Sequence, residues 1–386
     1  MAASCSENVS QFSGHHAQFL KLFQQSIDEF EGGQISYYFS QWEALTSDKF
    51  ILDTVLGATF IFSSTPPLQT YPPPIFSQIS TKERLYVQQE ITRLLCHKIV
   101  VPSEHEEGQF ISPIFTTTNR DGSLRLILNL KTFNQYLLYQ HFKMETLSYI
   151  LKLVKPNCYM TSLDLKSAYY SVPMAPVCQN YLKFLWQDKL YKFVAFPNGL
   201  ACCPRLFTKL LKPPLAHLRK HGHVIAAYLD DLYQQGDDFD DCVETVLKTI
   251  KTFTQLGFTI HPTKSSLIPS QIIEFLGFII NSCNNTVTIS PDKTADISKC
   301  ISHALNSCAN ITIRELAQCV GKIVAIFPAA VAGPLHYRGL ERDKDHHLKA
   351  HKGNFDVKIS LGEHAKNELW WWQKNIPHIS KHILLL

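Results

Sequence analysis

The feature that most constrains this chain is the segment Tyr228-Leu229-Asp230-Asp231, in which two adjacent carboxylates follow a short apolar run. Residues Val224 to Tyr228 lead into the acidic pair, and Leu232-Tyr233 follow it before Gly236. Two short apolar segments around such a pair predict a β-hairpin with both carboxylates at its tip. Because ionised neighbours repel each other, the pair needs solvent or a cation to offset the repulsion. Taken alone, it more often marks a solvated turn.

A second acidic position lies upstream, at the end of the strand-like segment Met160-Thr161-Ser162-Leu163-Asp164. A polar turn with Tyr169 and Tyr170 follows it. Two-metal phosphoryl transfer needs carboxylates from separate elements, which hold the ions roughly 3.5–4 Å apart. Asp164 and Asp230 would provide this arrangement if their strands were neighbours. Since Mg²⁺ binds carboxylates together with substrate phosphates, the two segments jointly predict a phosphoryl-transfer site rather than a solvated turn.

Composition restricts the class of protein. The chain has 386 residues and 45% hydrophobic content, which is enough for a sizeable core and more than one subdomain. No apolar run reaches transmembrane length and the N-terminus lacks a signal-peptide profile, so we expect no membrane partner. The eleven cysteines show neither a CxxC pair nor a Cys/His zinc spacing. Reduced thiols and an intracellular location follow as expectations, with cytoplasm and nucleus both open.

Charge is distributed unevenly, although the net charge is only +4. Residues 1–75 contain two lysines, no arginine and seven acidic residues, whereas the remainder contains 35 basic and 26 acidic residues. A basic body suits the binding of a polyanion such as a nucleic acid. The proline clusters Pro66-Pro67 and Pro72-Pro73-Pro74 predict an extended connector. We therefore interpret residues 1–70 as a leader that precedes the main domain.

Two arginines flank a predicted hairpin. The strand-like runs Phe110–Phe115 and Leu124–Leu130 enclose the turn-forming segment Asn119–Ser123. Arg120 and Arg125 would then lie at the hairpin tip and face one anionic ligand. A triphosphate is the natural candidate, because arginine offers a planar fork to phosphate oxygens. The alternative is a pair of ordinary exposed arginines.

Periodicity predicts the main helices and a further hairpin. Glu83–Cys96 and Asp237–Phe258 carry apolar residues at helical spacing, and Gly257 closes the second run. Thr312 and Glu315 have the spacing of a capping box. The aromatic runs Tyr181–Trp186 and Leu190–Phe196 predict a pair of strands.

Several segments, in this order, resemble the motifs of reverse transcriptases: "FISPIF", "RDGSLRLILNLKTFN", "HFKMETL", "MTSLDLKSAYYSVPM", "YLKFLW", "FPNGLACCPRLFTKLL", "AYLDDL" and "EFLGFII". The set is similar to that of DIRS-like retrotransposons, which encode a tyrosine recombinase. The resemblance extends over roughly residues 33–372. It implies an α+β right-hand polymerase fold with fingers and palm (an antiparallel sheet plus helices) in 71–289, a helical thumb in 290–345 and a C-terminal connector in 346–386.

The resemblance also implies an activity. The protein would be an RNA-directed DNA polymerase, a nucleotidyltransferase that extends a primer on RNA or DNA with dNTPs and two Mg²⁺ ions, or Mn²⁺ in their place. Asp164 and Asp230 would bind the metals, Asp231 would be a less direct partner, and Leu165 would contribute its backbone carbonyl. Lys264, in "HPTKS", would protonate the leaving pyrophosphate.

Substrate contacts follow from the same resemblance. Arg125, and with it Arg120, would hold the incoming triphosphate. Tyr169 would form the aromatic wall beneath the sugar that excludes a 2′-OH. Asn198 stands where relatives commonly have Gln or Phe, so its contact with sugar or template is a departure from the family pattern. Phe275, Leu276 and Gly277 resemble the primer grip.

Two alternatives stay open beside a polymerase that makes DNA. An RNA-dependent RNA polymerase shares the palm and the two-Asp hairpin, but the bulky Tyr169 argues against it, because such an enzyme must admit the 2′-OH. The other alternative is a catalytically silent relic, or a host-adopted nucleic-acid-binding factor. The presence of all three carboxylates and Arg125 disfavours it.

RNase H activity is not expected from this chain. Only fourteen residues follow Trp372, and none is Asp or Glu. Such an activity needs its own carboxylate cluster. We therefore expect an RNase H, together with a recombinase, to be supplied by the same element.

Overall fold

The computed structural model describes residues 30–67, 80–118 and 122–383. Part of the predicted leader, the prolines Pro72–Pro74 and Arg120 lie outside these ranges.

Twelve α-helices lie within the described ranges: α1 (Phe39–Leu45), α2 (Lys49–Gly57), α3 (Thr81–Cys96), α4 (Leu147–Ile150), α5 (Pro176–Gln179), α6 (Cys203–Leu210), α7 (Lys212–Lys220), α8 (Phe239–Gln255), α9 (Pro291–Asn306), α10 (Ile313–Val324), α11 (Arg338–Ala350) and α12 (Glu363–Asn375). Short 3₁₀ helices occur at Gln34–Tyr38, Phe133–Tyr136, Tyr169–Ser171, Gly333–Leu335 and Ile376–His378. None of these helices combines the length and the hydropathy that crossing a bilayer requires.

The strands are β1 (Val100–Ser103), β2 (Ile114–Thr118), β3 (Leu124–Leu128), β4 (Tyr159–Lys166), β5 (Lys183–Trp186), β6 (Lys189–Phe193), β7 (Val224–Tyr228), β8 (Asp231–Gly236), β9 (Thr259–Ile260), β10 (Ser266–Ser270), β11 (Ile272–Phe275), β12 (Phe278–Asn281), β13 (Thr286–Ile289), β14 (Ile311–Thr312), β15 (Lys358–Ile359) and β16 (Ser380–His382). The largest sheet has the order β10-β4-β8-β7, with β9 paired to β4. Smaller sheets are β1-β6-β5, β11-β12-β13-β16, β2-β3 and β14-β15.

The predicted hairpin around the acidic pair is confirmed. Strands β7 and β8 are neighbours, and only Leu229 and Asp230 connect them. Leu229 has a φ of 56°, a left-handed conformation that a branched side chain adopts only at a cost. Buried residues of β7 and β8 fix the two strands on either side, so the turn is forced into this conformation by its surroundings.

The chain divides into two units. The first comprises residues up to Met144, Leu163–Leu232 and Thr245–Leu267, and the second comprises Glu145–Ser162, Tyr233–Glu244 and residues from Ile268 onward.

The core of the first unit is continuous and rich in aromatic residues. Trp42 is fully buried and donates its indole N–H to the Leu256 carbonyl, 3.1 Å away, at the end of α8. Gly257 ends this helix with a φ of 85°, as the sequence predicts. A Cβ on Gly257 would lie 2.5 Å from the Tyr38 ring, so the close approach of the N-terminal segment also requires glycine.

In the second unit, helices α9 to α12 pack on one another. The predicted capping box is confirmed: Thr312 Oγ1 accepts the N–H of Glu315, whose carboxylate accepts the N–H of Thr312 in return. The buried Glu368 of α12 accepts the backbone N–H groups of Gly339 and Leu340, both at 3.0 Å. These bonds satisfy two donors at the start of α11 that have no partner within the helix.

Two further local predictions are confirmed, and a third is partly wrong. The aromatic hairpin is confirmed as β5 and β6, and the helix from Glu83 is confirmed as α3. The strand predicted over Phe110–Phe115 is wrong for its first four residues, since β2 begins at Ile114. Pro113 lacks the N–H that ladder pairing requires, and Phe110 and Ile111 are instead buried in the core.

We predict that Glu368→Ala lowers the melting temperature of the protein by about 5 °C, because two buried N–H groups lose a charged acceptor. Thermal denaturation followed by circular dichroism measures the shift. Glu363→Ala on the same helix is the control, because this exposed residue contacts only Lys366 among the described side chains. Equal melting temperatures for both variants would contradict the assignment.

Candidate active site

Backbone pairing brings the two predicted acidic segments together. The N–H of Leu165, near the end of β4, donates to the carbonyl of Asp230 at 2.9 Å. Asp164 therefore lies beside the tip of the β7–β8 hairpin, as the motifs require. Leu165 itself is buried, and its backbone lies next to both aspartates.

A downstream loop holds Asp164 by its backbone. The Asp164 N–H donates to Ser265 Oγ at 3.0 Å, and the Asp164 carbonyl accepts the N–H of His261 at 2.7 Å. Ser265 Oγ in turn donates to the His261 carbonyl at 2.6 Å. Lys264 belongs to the same loop. Because this loop is bonded to the backbone of Asp164, it brings the cation of Lys264 close to the carboxylates. The sequence predicted a role for Lys264 but not for its neighbours His261 and Ser265, which bond the backbone of Asp164.

Burial and neighbouring charges raise the pKa of two of the carboxylates, those of Asp230 and Asp231. Desolvation raises the pKa of Asp231 to about 6, and repulsion from Asp230 and Asp164 adds to the rise. The pKa of Asp230 is also raised, first by desolvation and further by Asp164, although its side chain retains contact with solvent. Lys264 opposes both shifts, and Arg125 opposes that of Asp230. The site thus carries negative charge that these two cations only partly offset.

Oxygen ligands under mutual repulsion fit a hard divalent cation such as Mg²⁺. In the described part of the chain, no three His, Cys, Asp or Glu side chains already surround one point as a metal cage. An incomplete ligand set fits Mg²⁺, which takes one or two carboxylates and completes its shell with water and substrate phosphates. The residues present therefore fit the predicted ions, while the roles of Asp164 and Asp230 as metal ligands stay a prediction.

A pocket of about 310 Å³ adjoins the hairpin tip. Four predicted site residues line it, namely Arg125, Tyr169, Asn198 and Asp230. The sequence assigned no role to the other four lining residues, which are Ser167, Ala168, Tyr170 and Leu229. Burial is the main cause that raises the pKa of the Tyr169 hydroxyl. The centroid of the Tyr169 ring lies 5.3 Å from that of the Phe207 ring. The structure thus brings Arg125, Tyr169, Asn198 and Asp230 to one cavity, while Arg120 lies outside the described residues.

Asn198 and the loop that carries it are held by two residues to which the sequence assigned no role. Its Nδ2 donates to the Tyr170 hydroxyl at 3.1 Å, and Tyr170 also lines the pocket. The Asn134 side chain donates to the Gly199 carbonyl and accepts the Ala201 N–H, both at 2.9 Å. Asn134 thereby fixes the loop that carries Asn198. Both residues stand inside the motif segments, but nothing in the sequence distinguishes them from their neighbours.

The predicted primer grip forms a tight turn in the second unit. Leu276 and Gly277 have φ values of 52° and 75° and connect β11 to β12. Lys293 donates to the Leu276 carbonyl at 3.2 Å and lies 4.0 Å from the Phe278 ring centroid. Phe275 is buried, and its ring contacts that of Tyr233 at 5.8 Å. These contacts attach the turn to Lys293 and Tyr233, while a role in primer binding stays a prediction.

Comparison with known proteins identifies the domain. Residues 117–280 match the family model described as reverse transcriptase (RNA-dependent DNA polymerase). The chain is 26% identical over 202 residues to a Pro-Pol polyprotein of simian foamy virus type 1, covering 52% of this chain and 17% of the relative. It is 24% identical over 216 residues to a retrovirus-related Pol polyprotein from transposon opus of Drosophila melanogaster, covering 55% and 21%. The chain thus spans about a fifth of the length of each.

Solved structures show the same fold. A foamy viral protease-reverse transcriptase in complex with double-stranded DNA aligns with a TM-score of 0.63 at 18% identity, covering 88% of this chain and 60% of that one. Another, in complex with an RNA/DNA hybrid, has a TM-score of 0.62 at 19% identity, covering 83% and 40%. The predicted α+β polymerase fold is confirmed.

These matches confirm the predicted nucleotidyltransferase class at the level of the domain. Residues 117–280, less than half of the chain, thus resemble a reverse transcriptase domain of the kind found in retroviral and retrotransposon polyproteins.

Proposed function

We propose that the protein extends a primer on an RNA or DNA template with dNTPs. The observation that carries the proposal is the convergence of Asp164 and Asp230 beside the pocket that contains Arg125 and Tyr169. Carboxylates for two metals and a cation for phosphates are the parts that phosphoryl transfer requires, because its catalysis consists mainly of positioning and charge stabilisation.

Asp164 and Asp230 would hold two Mg²⁺ ions, or Mn²⁺ in their place, with Asp231 as a less direct partner and the Leu165 carbonyl as a further oxygen ligand. The ions, when bound, stabilise the attacking and leaving oxygens. Lys264 would give a proton to the departing pyrophosphate, and its attraction to Asp230 and Asp231 keeps it at this edge of the site.

Arg125 would bind the triphosphate through its guanidinium, with Arg120 as a second contact. The Tyr169 ring would lie beneath the sugar and exclude a 2′-OH. Asn198, held by Tyr170, would contact sugar or template from its place in the lining of the pocket.

We also propose the type of genetic element that encodes the protein and the division of the chain into subdomains. The ordered motifs support an element of the DIRS-like type, with an RNase H and a tyrosine recombinase supplied by that element. The fingers and palm would occupy 71–289, the thumb 290–345 and the connector 346–386, with Phe275, Leu276 and Gly277 contacting the primer.

We predict that Asp164→Asn and Asp230→Asn each reduce primer extension at least about 10³-fold, because each removes a charged metal ligand. Extension of a labelled primer on RNA and on DNA templates measures the loss, with circular dichroism as the test of folding. Asp53→Asn, at an exposed position of α2, is the matched control. Folded variants with parental activity would refute the metal site.

We predict that Tyr169→Ala raises the ratio of rNTP to dNTP incorporation at least about tenfold, since the aromatic barrier to the 2′-OH is removed. Single-nucleotide incorporation kinetics give the two efficiencies. Tyr139→Ala, at a side chain that is 83% exposed, controls for loss of an aromatic residue. An unchanged ratio would assign sugar discrimination to another residue. Efficient use of rNTPs by the parent would favour an RNA polymerase.

We predict that Asp231→Asn raises the melting temperature of the metal-free protein at pH 7. The pKa of Asp231 is about 6 in the folded state, above its ordinary value of 3.8, so its contribution to stability is lost as pH rises through 6. The difference between variant and parent should vanish near pH 4. Adding Mg²⁺ at constant ionic strength should stabilise the parent more than the variant. A pH-independent difference would contradict the shift.

A further inference from the structure

A second groove lies in the first unit and shares no lining residue with the pocket at Asp230. Its volume is about 560 Å³, larger than the 310 Å³ of that pocket. One wall consists of residues from Leu45 to Ile51, and the other is a face of α6 and α7 from Lys209 to Lys220. We refer to it as the α2–α7 groove.

The helical wall presents its cations on one face. Lys209, Lys212, Ala216 and Lys220 recur at intervals of three and four residues, which places them on the same side of a helix. Leu211, between α6 and α7, keeps helical dihedrals of −74° and −16°, so the path is nearly continuous. Lys212 and Lys220 are eight residues apart, about 12 Å at 1.5 Å per residue. The small Ala216 leaves the space between them open.

The groove is positively charged. Its single acidic residue, Asp48, caps α2 by accepting the Phe50 N–H at 2.9 Å, so this carboxylate is already engaged. Desolvation lowers the pKa of His217, and the nearby His221 and Lys220 lower it further. Among the described residues that line the groove, three lysines therefore outnumber one carboxylate, that of Asp48.

An aromatic side chain completes the groove. Phe50 is 39% exposed, with Lys209 Nζ at 4.8 Å and Arg205 Cζ at 5.9 Å from its ring centroid. Proteins that bind single strands combine a cationic groove for the backbone with aromatic rings on which bases stack. Lysines are point charges suited to phosphates, whereas acidic motifs are typically read by clusters of arginine forks.

We propose that the α2–α7 groove binds a single-stranded stretch of nucleic acid, with phosphates on Lys209, Lys212 and Lys220 and a base against Phe50. The strand would be bound outside the catalytic pocket, so binding here does not depend on the proposed polymerase activity.

The test is fluorescence anisotropy with a labelled mixed-sequence RNA of 20 nucleotides and the full chain. An excess of unlabelled blunt duplex competes for any duplex-binding surface. Lys209→Ala/Lys212→Ala/Lys220→Ala should weaken binding at least about tenfold and reduce the slope of log affinity against log salt by about 2, the value for three phosphate contacts on a single strand. Lys248→Ala/Lys251→Ala/Lys299→Ala, at exposed positions of α8 and α9, should bind like the parent.

Phe50→Leu keeps the apolar bulk of the groove wall and removes the ring, so it should weaken RNA binding without changing the salt slope.

Parental affinity in the lysine variant, or an equal loss in the control variant, would overturn the proposal. Polyglutamate of equal charge that binds as tightly as RNA, together with no effect of Phe50→Leu, would also overturn it and identify a general anion site. Primer extension on a short duplex should be normal in every variant. If the parent protein does not extend primers, the proposed function is refuted. The anisotropy measurements alone then decide whether the groove binds RNA.

Discussion

The site depends on one backbone contact, the hydrogen bond from the Leu165 N–H to the Asp230 carbonyl. It joins the end of β4 to the hairpin tip and holds Asp164 near Asp230 and Asp231 in spite of their mutual repulsion. Desolvation, and after it repulsion between these carboxylates, raises the pKa of Asp230 and of Asp231. Hydrophobic burial on both sides of the turn stabilises the arrangement, because β7 and β8 are largely buried.

The length of the connection explains the conformation of the turn. A two-residue connection between paired strands needs a left-handed residue, and glycine or asparagine would adopt it more readily than leucine. Leucine at position 229 nevertheless has a φ of 56° and lines the pocket. Strain of this kind persists where the surrounding structure fixes the backbone, and it is typical of functional sites.

The supporting residues act through the backbone rather than through the reacting groups. Ser265 and His261 bind the peptide groups of Asp164, and Asn134 binds those of Gly199 and Ala201. Such contacts use main-chain groups and not the Asp164 carboxylate or the Asn198 side chain. Rigid support of this type is what positions catalytic groups to within a fraction of an ångström.

The sequence by itself determined the hairpin, the helices α3 and α8, the capping box at Thr312 and the identity of the acidic residues. These features are local: apolar periodicity, turn residues and adjacent carboxylates lie within a few positions of one another. Ordered motifs also sufficed to predict the polymerase fold. Only the tertiary structure decided which residues meet, because Asn134, Tyr170 and Ser265 reach the site through contacts between distant segments. The α2–α7 groove was likewise invisible in the sequence, since Phe50 and Lys209 are separated by more than 150 residues and become neighbours only when the helices pack.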